Sequence, residues 1–228
     1  MGNKALFTKE RRVLGALALG ALTAFGIVGC TTESRQTLND GTPVTEQITA
    51  VRVDVPVGGV TLRVEDGAPV SLRREVTYTG RNPGKTHSVE NGTLVLGGCS
   101  QCGVDYDVVV PRELAISGAI GTGKITLARA ASVDLRGEVG DIKVQSSSGP
   151  VRLITGTGDV EVGLAKPGAV TVNADVGKVT VTVPDGAYQV HAKSEVGGVE
   201  TGGVRQDQAS PNVLDLRAGT GKVTVKAA

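Results

Sequence analysis

The 228-residue chain contains no Trp, two Phe, three Tyr, one Met and two His. Both Phe and the Met lie within the first 29 residues, so the remainder keeps only Tyr78, Tyr106 and Tyr188. A protein that stacks bases or sugar rings on aromatic faces is therefore disfavoured. An excess of one charge is also missing, with 24 basic groups against 23 acidic ones. Four of the basic groups and one of the acidic precede residue 30, leaving 20 against 22, which argues against nucleic acid as a partner. The uncharged run Val13 to Val28 covers 16 residues. That is short of the roughly 20 a spanning helix needs. His87 and His191 lack ligand spacing for zinc and cannot be placed in a Ser-His-Asp arrangement, and no cofactor is expected.

The leader is informative. A basic stretch from Lys4 to Arg12 precedes the apolar run, and Gly29-Cys30 then gives way to the polar residues Thr31-Thr32-Glu33-Ser34-Arg35. Charge followed by a short apolar segment is the layout of a secretory signal. Its ending, Ile27-Val28-Gly29-Cys30, resembles the lipobox of bacterial lipoprotein signal peptides. That resemblance implies cleavage before Cys30 and a diacylglyceryl group on its thiol, with two or more acyl chains making a stable anchor. The expectation is a signal peptide over 1–29 and a flexible tether over 30–47, where no apolar period is visible. The mature protein would be extracytoplasmic, held at the cell membrane through the lipid on Cys30.

Beyond residue 47 the chain repeats. One set of segments reads Gly-x-(Ile/Val)-x-aliphatic, beginning at Gly123, Gly140, Gly158, Gly177 and Gly221, with a weaker copy at Gly197. A second set alternates with it: Val133-Asp134-Leu135, Val151-Arg152-Leu153, Val170-Thr171-Val172, Tyr188-Gln189-Val190 and Leu214-Asp215-Leu216. Apolar residues at every second position make one face of a strand, and Gly, Pro, Asp and Ser between them mark turns. A sandwich has no reason to repeat one pair of strand types at a fixed period, whereas a solenoid stacks copies of one unit. The expected fold is all-β: a parallel β-solenoid (β-helix) of short Gly-punctuated strands, about 18 residues per rung. It would occupy 48–228, with irregular rungs and a cap over 48–117 and regular repeats over 118–226.

In that register Lys124 falls beside Asp141, Lys143 beside Glu161, Asp159 beside Lys178 and Asp134 beside Arg152. Asp141 also falls beside Asp159, a candidate weak cation site that reads better as a solvated pair. Cys99-Ser100-Gln101-Cys102 is the remaining cysteine pair, and a disulfide is the default in an exported protein. A thioredoxin-like site would need a helix there, and a strand-like run follows instead. Gly121-Thr122-Gly123-Lys124 lacks the spacing of a phosphate loop, and Gly-Thr-Gly groups at Gly156 and Gly219 mark all three as rung corners.

The recurring Gly-(Asp/Lys)-(Ile/Val)-x-Val unit, with Thr157-Gly158-Asp159-Val160 and the closing stretch Leu216 to Val225, resembles the bacterial putative-adhesin family. The likeness covers roughly residues 48 to 226. It implies a β-solenoid domain of unknown biochemical function carried on surface lipoproteins and membrane proteins, with no defined catalytic residues. The leading expectation is a non-enzymatic, adhesion-like scaffold that binds a protein or a cell-envelope polymer. Two alternatives stay open. One is a polysaccharide-active β-helix enzyme using acids near Asp141, Asp159 and Glu161, and the other is an envelope-stress or regulatory lipoprotein.

Overall fold

Alternating side chains along short segments leave half of each strand apolar, and such segments are stable only when stacked so that their apolar halves meet. The computed structural model describes residues 34–228, and the signal peptide and the lipidation at Cys30 lie outside this span. The strands are β1 (Gln36–Pro43), β2 (Ala50–Val57), β3 (Val60–Val64), β4 (Ser71–Tyr78), β5 (His87–Glu90), β6 (Thr93–Gly97) and β7 (Cys102–Val110). Next come β8 (Ala115–Thr122), β9 (Ile125–Leu127), β10 (Ser132–Val139), β11 (Ile142–Ser147), β12 (Val151–Thr157), β13 (Val160–Leu164), β14 (Val170–Val176) and β15 (Val179–Val183). The last are β16 (Ala187–Val196), β17 (Val199–Gly202), β18 (Arg205–Gln206), β19 (Val213–Thr220) and β20 (Val223–Ala227).

Two ten-stranded sheets face each other. The front sheet runs β1-β4-β7-β3-β9-β11-β13-β15-β20-β17 and the back sheet β18-β16-β19-β14-β12-β10-β8-β2-β6-β5. Each rung contributes a back strand and then a front strand, and neighbouring rungs pair in parallel. Ile125, Ile142, Val160 and Val179 line up across the front sheet, and Val133, Val151 and Val170 across the back. All seven are at most 2% exposed and form the spine of one continuous core. At about 1.5–3 kcal/mol per buried aliphatic side chain, these inner walls are the main source of stability. The all-β parallel stack expected from the repeat is what the chain forms.

The order of rungs departs from the order of the chain at both ends. Rung β2/β3 pairs directly with rung β8/β9, and rung β6/β7 lies outside it. At the other end β14 pairs with β19, not with β16, so the final rung β19/β20 is inserted between β14/β15 and β16/β17. The simple sequential stack is corrected there. The physical reason lies at the corners. In space the corner residues run Val57, Thr122, Val139, Thr157, Val176, Thr220 and Val196, a strict alternation of Val and Thr. Each Thr belongs to a Gly-Thr-Gly corner, and the Val residues at 139, 176 and 196 follow Glu or Asp. A β-carbon on Gly156 or Gly219 would stand 2.6 Å from the carbonyl oxygen of Glu138 or Asp175 in the adjoining rung. The two corner types therefore interlock, and two acid-Val-Gly corners adjacent in sequence, at 175–177 and 195–197, accept a Gly-Thr-Gly rung between them.

Of the tether expected over 30–47, residues 30–33 lie outside the described residues, and the part from residue 36 onward is instead ordered against the domain. Residues 36–43 form β1, which pairs antiparallel with β4 through eight residues, and Val44 and Ile48 are buried. Strand β4 is in turn antiparallel to β7, and β5 to β6, so the N-terminal end of the stack is closed by a change of strand direction. The C-terminal end is closed by composition. In β16 and β17, Ala192, Ser194 and Thr201 stand level with Leu216, Ala218 and Val225 of the rung beneath. Smaller and more polar inward residues blunt an end that would otherwise pair with other chains.

Candidate binding surface

Where the front sheet turns antiparallel, its outer face holds a concave pocket of about 560 Å³ over β1, β4, β7 and β3. Outward positions give it Asn39, Arg73, Glu75, Asp105, Asp107 and Thr61, and Gly41 leaves the β1 side without a wall. Register places Glu75 directly opposite Asp105, with Asn39 on the other side of Glu75. Like charges opposite one another in a ladder are unfavourable. Arg73 stands opposite Asp107, but Asp107 is engaged by Arg63, whose Nη2 donates to both carboxylate oxygens at 2.8 Å. Among the described residues, none of the ion pairs engages Arg73, Glu75 or Asp105. The pocket thus offers one free guanidinium beside two free carboxylates.

Behind this floor is a buried polar network. Arg74, on the inward face of β4 between Leu72 and Val76, is 7% exposed. Its Nε and Nη2 donate to the two oxygens of Asp40 at 2.7 Å, and its Nη1 donates to Gly84 O at 2.8 Å and Thr86 Oγ1 at 2.7 Å. Tyr106 Oη is 2.6 Å from Thr86 Oγ1 and 2.8 Å from the carbonyl oxygens of Thr86 and Gly97. These contacts bind β1 and the loop 79–86 to β4 and β7, which fixes the backbone under the pocket. The hydrogen bonds from Arg74 hold the Asp40 carboxyl below its ordinary pKa, and the same pairing raises that of Arg74. Burial pushes the Tyr106 phenol up. Burial pushes His87 down, aided by Lys85 and Arg74, and its Nδ1 has no hydrogen-bond partner.

The residues singled out in the sequence are scattered along the stack. Cys99 and Cys102 flank a turn at the start of β7 with Cα atoms 5.6 Å apart, within the reach of a disulfide. Asp141 and Asp159 act as inter-rung fasteners: Asp141 Oδ1 accepts from the Asp159 backbone N–H at 3.0 Å, and Asp159 Oδ1 from that of Lys178 at 2.8 Å. Asp159 is therefore bonded to the backbone, not the ammonium, of Lys178. Lys143 pairs with Glu161 at 2.8 Å, Lys124 with Asp141 at 3.9 Å and Arg152 with Asp134 at 4.0 Å. Among the described residues no group of three or more His, Cys, Asp or Glu side chains could hold a metal ion, and no helix is long and apolar enough to cross a membrane. Sequence reasoning missed the pocket and its network. The signal was an Arg on the inward beat of Leu72-x-Arg74-x-Val76-x-Tyr78, where a buried charge needs a partner.

A two-sheet parallel β-solenoid closed at one end by antiparallel strands defines the class of protein. The chain belongs to the Toastrack DUF4097 family, whose sequence profile matches residues 103–228, and that family is a putative-adhesin domain family of unknown function. It is similar to a crystal structure described as a putative cell adhesion protein from Clostridium sporogenes, with 15% identity and a TM-score of 0.48 over 85% of this chain and 100% of that one. A putative adhesin from Bacteroides fragilis gives 13% identity and a TM-score of 0.43 over 86% and 99% of the two chains. A putative adhesin from Parabacteroides merdae gives 9% and 0.35 over 85% and 96%. No curated protein matches the chain.

Proposed function

We propose that the protein is an exported lipoprotein, anchored through Cys30 after removal of residues 1–29, that works as a non-enzymatic binding module on the extracytoplasmic face of the membrane. Its scaffold is a solenoid with a basic step of about eighteen residues, fastened near its N-terminal end by a Cys99–Cys102 disulfide. The ligand-binding face is the pocket over β1, β4, β7 and β3. The observation that carries this reading is the set of unpaired charges on a stiffened floor. Glu75 and Asp105 oppose each other at a cost to the fold, and Arg73 is left without its carboxylate. A ligand with a cationic group for the two acids and an anionic group for Arg73 satisfies all three. A protein segment or a cell-envelope polymer bearing amino and carboxyl groups has that chemistry.

Retention of purified protein on isolated cell-envelope material tests it. Arg73→Glu combined with Glu75→Arg is expected to lower retention at least tenfold, while Arg152→Glu on the back sheet leaves it unchanged. Equal loss with both variants, or turnover of an envelope polysaccharide by the protein, would contradict the reading.

A further inference from the structure

Because β1 begins at Gln36, inside the expected tether, only residues 31–35 stand between Cys30 and the first strand. A fully extended chain rises at most ~3.6 Å per residue, so the six steps from Cys30 to Gln36 span at most about 22 Å. Because β1 is antiparallel to β4, it enters the sheet level with Tyr78, where β4 ends, and Tyr78 is level with Cys102, where β7 begins. One edge of the domain therefore gathers Arg35, the loop 79–86 and the turn 98–101.

That edge is basic. Arg35, Arg81 and Lys85 are exposed, and neither 76–87 nor 98–103 contains an Asp or Glu. The loop is held in place, with Gly84 N–H donating to Asn82 Oδ1 at 2.9 Å and Gly84 O accepting from Arg74. Glu33 precedes Arg35 by two residues in the chain, and among the described residues the nearest carboxylates are Asp54 beside the disulfide turn, and Glu75 and Asp105 three residues back along their strands, about 10 Å away. The far edge of the same end carries Glu46, Glu65, Asp66, Glu90 and Glu113 against Arg112 and Arg129, with Arg129 paired with Asp66 and Glu90 paired with Arg52 of β2.

We infer that this edge docks on anionic phospholipid headgroups, with Arg35, Arg81 and Lys85 as the contacts, so that the solenoid is mounted in one orientation. The inference rests on the lipid-anchor reading above. The tether length brings the edge within reach of the headgroups, and the charge asymmetry selects it over the opposite edge. Each basic residue near an anionic surface strengthens the contact about fivefold, and the effect fades beyond a Debye length of about 8 Å.

The absence of Trp from the chain supplies the test. Full-length protein carrying Ser100→Trp at the basic edge, or Thr45→Trp at the far edge, is reconstituted in vesicles containing 30% phosphatidylglycerol and a nitroxide-headgroup phosphatidylcholine. Emission from position 100 is expected to be quenched several-fold more than from position 45. The difference should vanish in vesicles without phosphatidylglycerol, and with Arg35→Gln, Arg81→Gln and Lys85→Gln combined. Protein that floats with the vesicles but shows equal quenching at both positions, or no response to the triple variant, overturns the docking while leaving the anchor standing. Protein that does not float overturns both.

Discussion

Arg74 illustrates how one residue links the fold to the candidate surface. Its guanidinium satisfies a carboxylate on β1, a carbonyl in the loop 79–86 and the Thr86 hydroxyl, so its loss leaves three acceptors short of a donor. Arg74→Met is expected to cost about 2–3 kcal/mol, less than a fully buried pair because Asp40 is partly exposed, and to appear as a lower urea midpoint. Two neighbours give the stability a pH dependence of known sign. His87 has a depressed pKa in the fold, so as pH falls below about 6.5 the unfolded chain takes up a proton that the native state refuses. Stability should decline with acid from that point, and His87→Gln should flatten the decline between pH 7 and 5. Asp40 is depressed below the ordinary carboxylate value of about 3.9, so its contribution persists in weak acid and is lost as pH falls through its lowered pKa. Charge pairs such as Lys143–Glu161 were legible in the sequence because parallel register equals repeat spacing. The Arg74 network was not, since its members come from β1, β4, β7 and a loop that no periodicity relates.

At the scale of elements, the central rungs could be read from the chain and the terminal ones could not. Val160 and Val162 lie on the inward beat predicted for them and are buried. Strand β1, Gln-Thr-Leu-Asn-Asp-Gly-Thr-Pro, has Leu38 as its only large apolar residue, and it is fixed by antiparallel pairing and the Asp40 ion pair instead of by an apolar face. No alternation marks such a strand. The exchange of the last two rungs was encoded, but in corner type and not in strand pattern. Gly219 has to approach Asp175 O too closely for any side chain. Gly219→Ala should therefore destabilise the stack by about 1–3 kcal/mol through overpacking, and equilibrium unfolding of the variant measures it. An Ala tolerated without loss would mean that the corners do not select the order of rungs.

At the scale of the molecule, eight stacked rungs among the described residues span about 34 Å, at ~4.8 Å per step. The two ends differ in kind. The N-terminal end has antiparallel strands, the polar network, the pocket and the chain's point of entry, whereas the C-terminal end is a smaller, more polar rung. The proposed ligand pocket and the proposed point of membrane attachment thus fall at one end, and the regular rungs extend from it. Attachment through Cys30 is the claim on which this arrangement depends. The intact mass of the protein extracted from membranes tests it most directly: a chain beginning at Cys30 and carrying a diacylglyceryl group is predicted, and a chain that keeps residues 1–29 or has an unmodified Cys30 would contradict it.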